Sequence, residues 1–312
     1  TLINKVMNDT SNESEKLVGV EVSKKAFKAV CLETGERLTD EYTIAAGDGQ
    51  DTFTQLVNFI NDTKNRFGAF ERIGIAVPGL IHRETKRVAF STYIPEHEAI
   101  DFLGKMEAAT GLKITVENDA NAAAYGEFIL GAGRGSRDLF YVTLGTGIGG
   151  ALIFDGKIWR GASGFAGEFG QVAINSDGMK LEDVASSANI VRRTRSRFHQ
   201  DSTSSLNKFD EEEIRLKDVV RAAQNDDDFA RLMLERTGTY VGTAIAGVIN
   251  LLNIEKIVIG GVIMQAEHLV LDAIIKRAKE LSFAPSFEAT SIVGGEIGAN
   301  AAAVGVALLS RE

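Results

Sequence analysis

Residues Asp138–Lys157 read DLFYVTLGTGIGGALIFDGK, and four glycines among six residues join two apolar strands there. Glycine has no Cβ, so its backbone adopts positive φ freely and several N–H groups can point at one anion. An ordinary tight hairpin is the alternative, but two glycines suffice for such a turn. The segment therefore predicts a phosphate-binding turn containing Gly145, Thr146, Gly147 and Gly149.

The order of predicted elements around this turn occurs twice along the chain. Each half opens with three short strands joined by turns and continues into alternating strands and helices. The opening strands are predicted over Leu17–Val22, Ala26–Leu32 and Glu36–Thr43, then over Leu139–Leu144, Ala151–Phe154 and Ile158-Trp159. This repetition predicts two α/β lobes with a cleft between them. A final helix over Ala299–Leu309 is almost entirely apolar, so it must be buried, and we expect it to pack between the lobes.

Length and composition limit the class of protein. The 312 residues exceed the size at which one core usually stops growing, and residues 1–16 are polar enough to predict a flexible tail. A net charge of −9 disfavours nucleic acid and anionic membranes as partners. No apolar run reaches the roughly 18 residues of a membrane span and no signal peptide is evident, so we expect a cytoplasmic protein. The single cysteine, Cys31, lies in an apolar strand and is expected to be a buried hydrophobe.

Several sequence motifs are spread along the chain: GIAVPG at 74–79, ENDANAAA at 117–124, LGTGIGG at 144–150, AGEFG at 166–170, IGG at 259–261 and GANAAA at 298–303. Together they resemble the ROK family of repressors and sugar kinases, within the actin-like ATPase (ribonuclease H-like) superfamily. The resemblance covers most of the chain from Leu17 onward, and any one of the motifs alone would be weak. It implies one lobe formed by residues 17–118 plus 297–312 and a second lobe formed by residues 119–296.

This resemblance implies an ATP-dependent, glucokinase-like kinase for a hexose or N-acetylhexosamine, with Mg²⁺ as cofactor. Asp119 matches the family's general base, although an aspartate at a strand-to-helix junction can also be only a helix cap. Sugar contacts are implied for Asn118, Glu168, Glu182 and Gly79, and nucleotide contacts for Gly260 and Gly261. A homodimer is implied too, with the apolar helices of the second lobe as its interface, unless those helices are core.

The first glycine-rich turn departs from the family pattern. The family's kinases have an aspartate, two glycines and a threonine there, whereas this chain has Glu21-Val22-Ser23-Lys24-Lys25. Lys24 can supply positive charge to a phosphate and Glu21 can hold Mg²⁺. The same residues also suit an ordinary polar hairpin in a protein that no longer transfers phosphate. A noncatalytic sugar sensor of the family's transcriptional-regulator branch is therefore the alternative function, although sixteen residues before Leu17 are too few for a DNA-binding domain.

The zinc-binding loop of the family is also altered. In the family, a loop with one histidine and three cysteines precedes the glutamate that corresponds to Glu182. Gln171 stands at the histidine position, no cysteine follows Cys31, and the segment Asp177–Leu181 is shortened. Zinc sites need thiolate or imidazole ligands at such spacing, so we expect no structural zinc.

Overall fold

The computed structural model describes residues 16–23, 26–33, 37–46, 51–82, 88–90 and 102–311. Most of the predicted tail and the turn residue Lys24 lie outside the described residues. Lys16, the last residue of that tail, is held in place, because its Nζ donates a hydrogen bond to the Phe67 carbonyl oxygen at 2.6 Å.

The first half of the chain forms a five-stranded sheet in the order β3-β2-β1-β4-β7. Its first three strands are antiparallel, and β1, β4 and β7 are parallel, as in a meander followed by βα units. The elements are β1 (Leu17–Val22), β2 (Ala26–Glu33), β3 (Arg37–Ala45), α1 (Thr52–Phe67), β4 (Arg72–Val77), β5 (Leu80–Ile81), β6 (Val88–Phe90), α2 (Phe102–Thr110), β7 (Lys113–Asn118) and α3 (Asp119–Leu130).

The second half repeats this arrangement in a sheet of order β10-β9-β8-β11-β12. Here β8, β9 and β10 are antiparallel and β8, β11 and β12 are parallel, which confirms the repeated order of elements. The elements are β8 (Leu139–Leu144), β9 (Ile148–Phe154), β10 (Lys157–Ile158), α4 (Glu182–Ala185), α5 (Ser187–Arg195), α6 (Leu216–Gln224), α7 (Asp228–Leu252), β11 (Lys256–Gly260), α8 (His268–Leu281), α9 (Ala284–Glu288), β12 (Ser291–Gly294) and α10 (Ala301–Leu309).

The apolar helix α10 is buried along its whole length, as its sequence predicts. It packs against β1 and β4 of the first sheet and against α3, which in turn packs on β8 and β9 of the second sheet. Four glycines make these contacts close: Gly19, Gly74, Gly126 and Gly305 each face a backbone carbonyl of the neighbouring element, where a Cβ would collide with the oxygen. The pair α3 and α10 thus connects the two sheets.

One buried carboxylate fixes the segment before α10. Glu127 of α3 is 1% exposed, and its oxygens accept hydrogen bonds from the N–H groups of Ala132, Glu296 and Ile297 at 2.9–3.0 Å. These bonds satisfy backbone donors that would otherwise be unpaired just after α3 and just after β12. No helix among the described residues is long and apolar enough to cross a membrane.

Substitution of Gly74 by alanine is expected to reduce stability by about 1–3 kcal/mol or more, because the added Cβ collides with the Val306 carbonyl oxygen of α10. Gly247, on the exposed face of α7, has no atom near its Cβ position and is the matched control. Gly247→Ala should be neutral or stabilising by up to about 1 kcal/mol, since alanine favours a helix. Urea unfolding measures both, and equal stability of the two variants would contradict this account of the helix packing.

Candidate functional site

Strand β7 ends at Asn118, and α3 begins at the next residue. The Asn118 Oδ1 accepts hydrogen bonds from the N–H groups of Ala120 and Asn121 at 2.9 and 3.0 Å, so Asn118 is the helix cap. Its Nδ2 donates to the Gly79 carbonyl oxygen at 3.0 Å and to Asp119 Oδ1 at 3.2 Å. Capping by Asn118 leaves Asp119 in the first helical turn, so a cap role does not account for this aspartate.

Asp119 lies where several carboxylates approach one another. Burial, the nearby charge of Glu21 and, to a smaller extent, that of Glu168 raise the pKa of Asp119 to about 7. The Ala120 N–H, which donates to Asp119 Oδ1 at 2.9 Å, opposes this shift. A carboxyl group that titrates near neutral pH is suited to accept a proton from a hydroxyl.

The carboxylate of Glu21, next to the last residue of β1, has an oxygen that lacks a hydrogen-bond donor. Its Oε2 lies 3.5 Å from the Lys28 Nζ and has no hydrogen-bond partner, although it is shielded from solvent. Burial raises the pKa of Glu21, and the positive charge of Lys28 partly offsets that effect. A buried carboxylate oxygen without a donor is a natural ligand for a cation.

Glu168 and Glu182 lie close to each other on the second lobe. Partial loss of hydration and the charge of Glu182 raise the pKa of Glu168. The Glu182 Oε2 accepts a hydrogen bond from the Ile148 N–H at 2.8 Å. Glu182 therefore holds the end of the glycine turn, a contact that its position in the sequence did not indicate.

The glycine turn differs in detail from the sequence expectation. None of Gly145, Gly147, Gly149 and Gly150 adopts positive φ, so the turn does not use the left-handed backbone that glycine permits, and its contact with phosphate stays a prediction. Gly149 and Gly150 belong to β9, where the absence of a Cβ permits close packing. A Cβ on Gly149 would lie 3.1 Å from the Ala120 Cβ, so this glycine brings β9 close to the start of α3. Gly145, Thr146 and Gly147 form the turn itself.

The second predicted glycine pair lies at the same end of the second sheet. Gly260 pairs with Thr143 in the parallel register of β11 and β8. Gly261 has a φ of 94°, and its bare Cα packs against the Leu144 backbone, where any side chain would collide. These contacts place Gly260 and Gly261 beside Gly145, and their contact with nucleotide stays a prediction.

A groove of about 620 Å³ lies between α5 and the start of α6. The N–H of Ser187, the first residue of α5, donates to the Gly145 carbonyl oxygen at 2.8 Å, so one end of the groove adjoins the glycine turn. Arg192 and Arg195 give the groove a positive charge. The lining residues include Ser187, Ala188, Val191, Arg192, Arg195 and Leu216.

Residues 171–181, which stand where the family has its zinc-binding loop, are held together by hydrogen bonds. Gln171 Oε1 accepts from the Lys180 Nζ at 2.7 Å, and Ala173 and Lys180 form an antiparallel bridge. The Leu181 N–H donates to the Val172 carbonyl oxygen at 2.9 Å. This short hairpin precedes Glu182 and sets its position. In the part of the chain that the structure describes, no group of three or more histidine, cysteine, aspartate and glutamate side chains is arranged to hold a metal.

Two contacts beside these residues were not predicted from the sequence. Arg160 forms an ion pair with Glu117, the residue immediately before Asn118. The ring of His82, three residues after Gly79, packs edge-on against Phe165 with centroids 6.4 Å apart. Each contact joins a residue of the first lobe to the loop that carries Glu168. Because the two segments are far apart in the sequence, no local pattern indicates these contacts.

The protein has a two-lobed actin-like ATPase fold. Its two repeated sheets carry the glycine turn, the Gly260-Gly261 pair and the cluster of carboxylates. Residues 17–312 match the ROK family, and the chain belongs to that family. The glucokinase of Halalkalibacterium halodurans is 32% identical over 275 residues, which cover 82% of this chain and 83% of that protein. The predicted fold and family are thereby confirmed.

Solved structures include both branches of the family. A ROK family glucokinase from Streptomyces griseus, in complex with glucose and AMPPNP, has a TM-score of 0.83 at 27% identity over 95% of this chain and 99% of that one. A ROK family transcriptional regulator, a homologue of the E. coli MLC protein, has a TM-score of 0.84 at 26% identity. The regulator match covers 96% of this chain and 78% of the regulator.

Metal analysis of the purified protein is expected to find less than one zinc per chain, because Gln171 stands where the family has a histidine ligand and its Oε1 is hydrogen-bonded to the Lys180 Nζ. A chelator should leave the thermal midpoint unchanged. One tightly bound zinc per chain, with loss of stability on chelation, would contradict the prediction.

Proposed function

We propose that this protein transfers the γ-phosphoryl group of ATP to a hydroxyl of a hexose or N-acetylhexosamine, with Asp119 as the general base. The observation that carries the proposal is the position of Asp119 beside Asn118, with a pKa of about 7 and with Glu21 and Glu168 close by. In phosphoryl transfer such a carboxylate orients the attacking hydroxyl and accepts its proton. The similarity to glucokinases supports the same class of reaction.

Sugar binding is assigned to Asn118, Glu168 and Glu182. Carboxylates and amides supply the acceptors and donors that hydroxyl groups need in a partly dry cleft. Gly79 acts through Asn118, because its carbonyl oxygen accepts from the Asn118 amide and holds the side chain in orientation. The raised pKa of Glu168 fits a group that gains from hydrogen bonds donated by sugar hydroxyls.

Nucleotide binding is assigned to the glycine edge formed by Gly145, Thr146, Gly147, Gly260 and Gly261. We place the nucleoside in the groove between α5 and α6, because Ser187 joins that groove to the Gly145 carbonyl. The Glu21 Oε2, which has no hydrogen-bond partner, would be a ligand for Mg²⁺. Mg²⁺ would neutralise charge that develops on the transferred phosphate. Lys24 remains a predicted phosphate contact, and Gly149 supports the turn from β9.

A noncatalytic sugar sensor is the second candidate. The substitutions in the first turn, Ser23 in place of a glycine among them, favour it, as does the equally strong likeness to a transcriptional regulator. A sensor needs the sugar contacts but not the nucleotide edge.

The homodimer and the cytoplasmic location remain predictions for either function.

The direct test is ADP release, coupled to a spectroscopic signal, over a panel of hexoses and N-acetylhexosamines with ATP and Mg²⁺. We expect sugar-dependent ADP release, and Asp119→Asn should lower kcat by at least about 10²-fold, because general-base assistance supplies about 10²–10⁴. Asp155→Asn is the matched control, since Asp155 is exposed and its φ of 49° suits asparagine. An active Asp119→Asn variant would contradict the assignment. Sugar binding without nucleotide binding in calorimetry would favour the sensor.

The pH dependence of the same reaction follows from the raised pKa of Asp119. Below about pH 7 the carboxyl group is protonated and cannot accept a proton, so kcat/KM should fall about tenfold per pH unit there and level off above pH 7. The residual activity of Asp119→Asn should lack this limb. A parent profile that stays flat down to about pH 5.5 would exclude Asp119 as the titrating base.

A further inference from the structure

An ion pair connects the two lobes directly beside Asp119. Arg160 follows β10 at the edge of the second sheet, and Glu117 lies in β7 at the edge of the first. The Arg160 Nε and Nη2 lie 3.0 and 2.5 Å from Glu117 Oε2. The Glu117 residue is only 5% exposed, so solvent screens this pair far less than a surface pair.

The other oxygen of Glu117 is bound to the residues that carry the site. Its Oε1 accepts hydrogen bonds from the Asn118 N–H and from the Asn121 Nδ2, both at 3.0 Å. Asn118 in turn caps α3 and donates to Asp119 Oδ1. The orientation of Glu117 is therefore transmitted through one peptide to the sugar-binding amide and the base.

Arg160 is fixed at the start of the loop that ends at Glu168. The Arg160 carbonyl oxygen accepts from the Ala166 N–H at 3.3 Å, which closes the loop. Gly161 and Gly167 turn the backbone at its two ends with φ of 69° and 95°. Movement of Arg160 therefore moves the loop that carries Glu168.

We propose that Arg160 is a positioning residue for the sugar site, and that its bond to Glu117 sets the distance between Glu168 and the Asn118-Asp119 pair. The inference rests on the proposed sugar site but adds two residues to it, neither of which has to touch the sugar. A salt bridge that only stabilised the fold would affect both substrates alike. A link placed between two halves of the sugar site affects sugar binding selectively.

Loss of one partner is more damaging than loss of both. In Arg160→Met, the Glu117 carboxylate remains buried without its cation and must shift or take up a proton. In the double variant Glu117→Gln with Arg160→Met, no charge is left unpaired, and the amide oxygen introduced by the first substitution is still able to accept from the Asn118 N–H. The double variant should therefore bind sugar better than Arg160→Met alone.

The experiment measures KM for sugar and for ATP, and the sugar Kd by calorimetry with glucose and N-acetylmannosamine as probes. Arg160→Met should raise the sugar KM and Kd by about tenfold to a hundredfold, since small misplacements of binding groups cost that much, while the ATP KM changes by less than about twofold. Arg160→Lys should recover part of the loss. Arg137→Met, which breaks an exposed pair with Asp155, is the control and should change neither value.

Three results would overturn the inference: unchanged sugar affinity in Arg160→Met, an equal rise of both KM values, or a double variant no better than Arg160→Met. Thermal unfolding identifies variants that fail to fold, and Arg160→Lys then carries the same comparison. A parent that binds sugar but releases no ADP contradicts only the kinase, because the sugar Kd still tests Arg160. A parent that binds neither probe contradicts the sugar site and this inference together.

Discussion

The rest of the structure depends on the close approach of α10 to the first sheet and to α3. Backbone meets backbone at Gly19, Gly74, Gly126 and Gly305, so the helix lies nearer than any side chain would permit. Close packing of this kind tolerates little displacement, because interiors pack at crystal-like density. Since α3 rests on α10 and starts at the cleft, these contacts fix where Asn118 and Asp119 stand relative to both sheets.

Charge and burial then determine the protonation chemistry of the side chains in the cleft. Glu21, Asp119, Glu168 and Glu182 form a row of carboxylates in a partly dry cleft, and their charges add to burial in raising the pKa of Asp119 and of Glu168. The mutual repulsion of these carboxylates is unfavourable when no ligand is bound. Lys28, whose Nζ lies 3.5 Å from Glu21, offsets part of it. Hydroxyl donors and a divalent cation both relieve such repulsion, which is the physical reason for proposing a sugar and a metal nucleotide as its ligands.

The sequence predicted the parts of the fold that depend on local pattern. The strands Leu17–Val22 and Leu139–Leu144 agree to the residue, because each is an apolar run bounded by polar or turn residues. The strand predicted to begin at Ala151 begins instead at Ile148. Glycine has low strand propensity, so nothing in the sequence indicated that Gly149 and Gly150 belong to the strand. The reason is tertiary, because Gly149 packs closely against α3.

The contacts within the site depended on tertiary structure. The motif around Asp119 pointed to these residues as a candidate site, but Glu117 and Arg160 are 43 residues apart and no local pattern relates them. The bond from Glu182 to Ile148 likewise spans 34 residues. Family motifs identify residue types at a site, whereas the partners that orient those residues become visible only once distant segments are placed together.

The bond between Glu182 and the Ile148 N–H has a thermodynamic consequence. One carboxylate serves the turn assigned to phosphate and the pocket assigned to sugar, so a ligand that draws Glu182 toward itself alters the other site. Any such effect is reciprocal, because the coupling free energy between two ligands has one value whichever binds first. Under the proposed function, sugar and nucleotide are then not independent occupants of this cleft, and the affinity of each depends on whether the other is present.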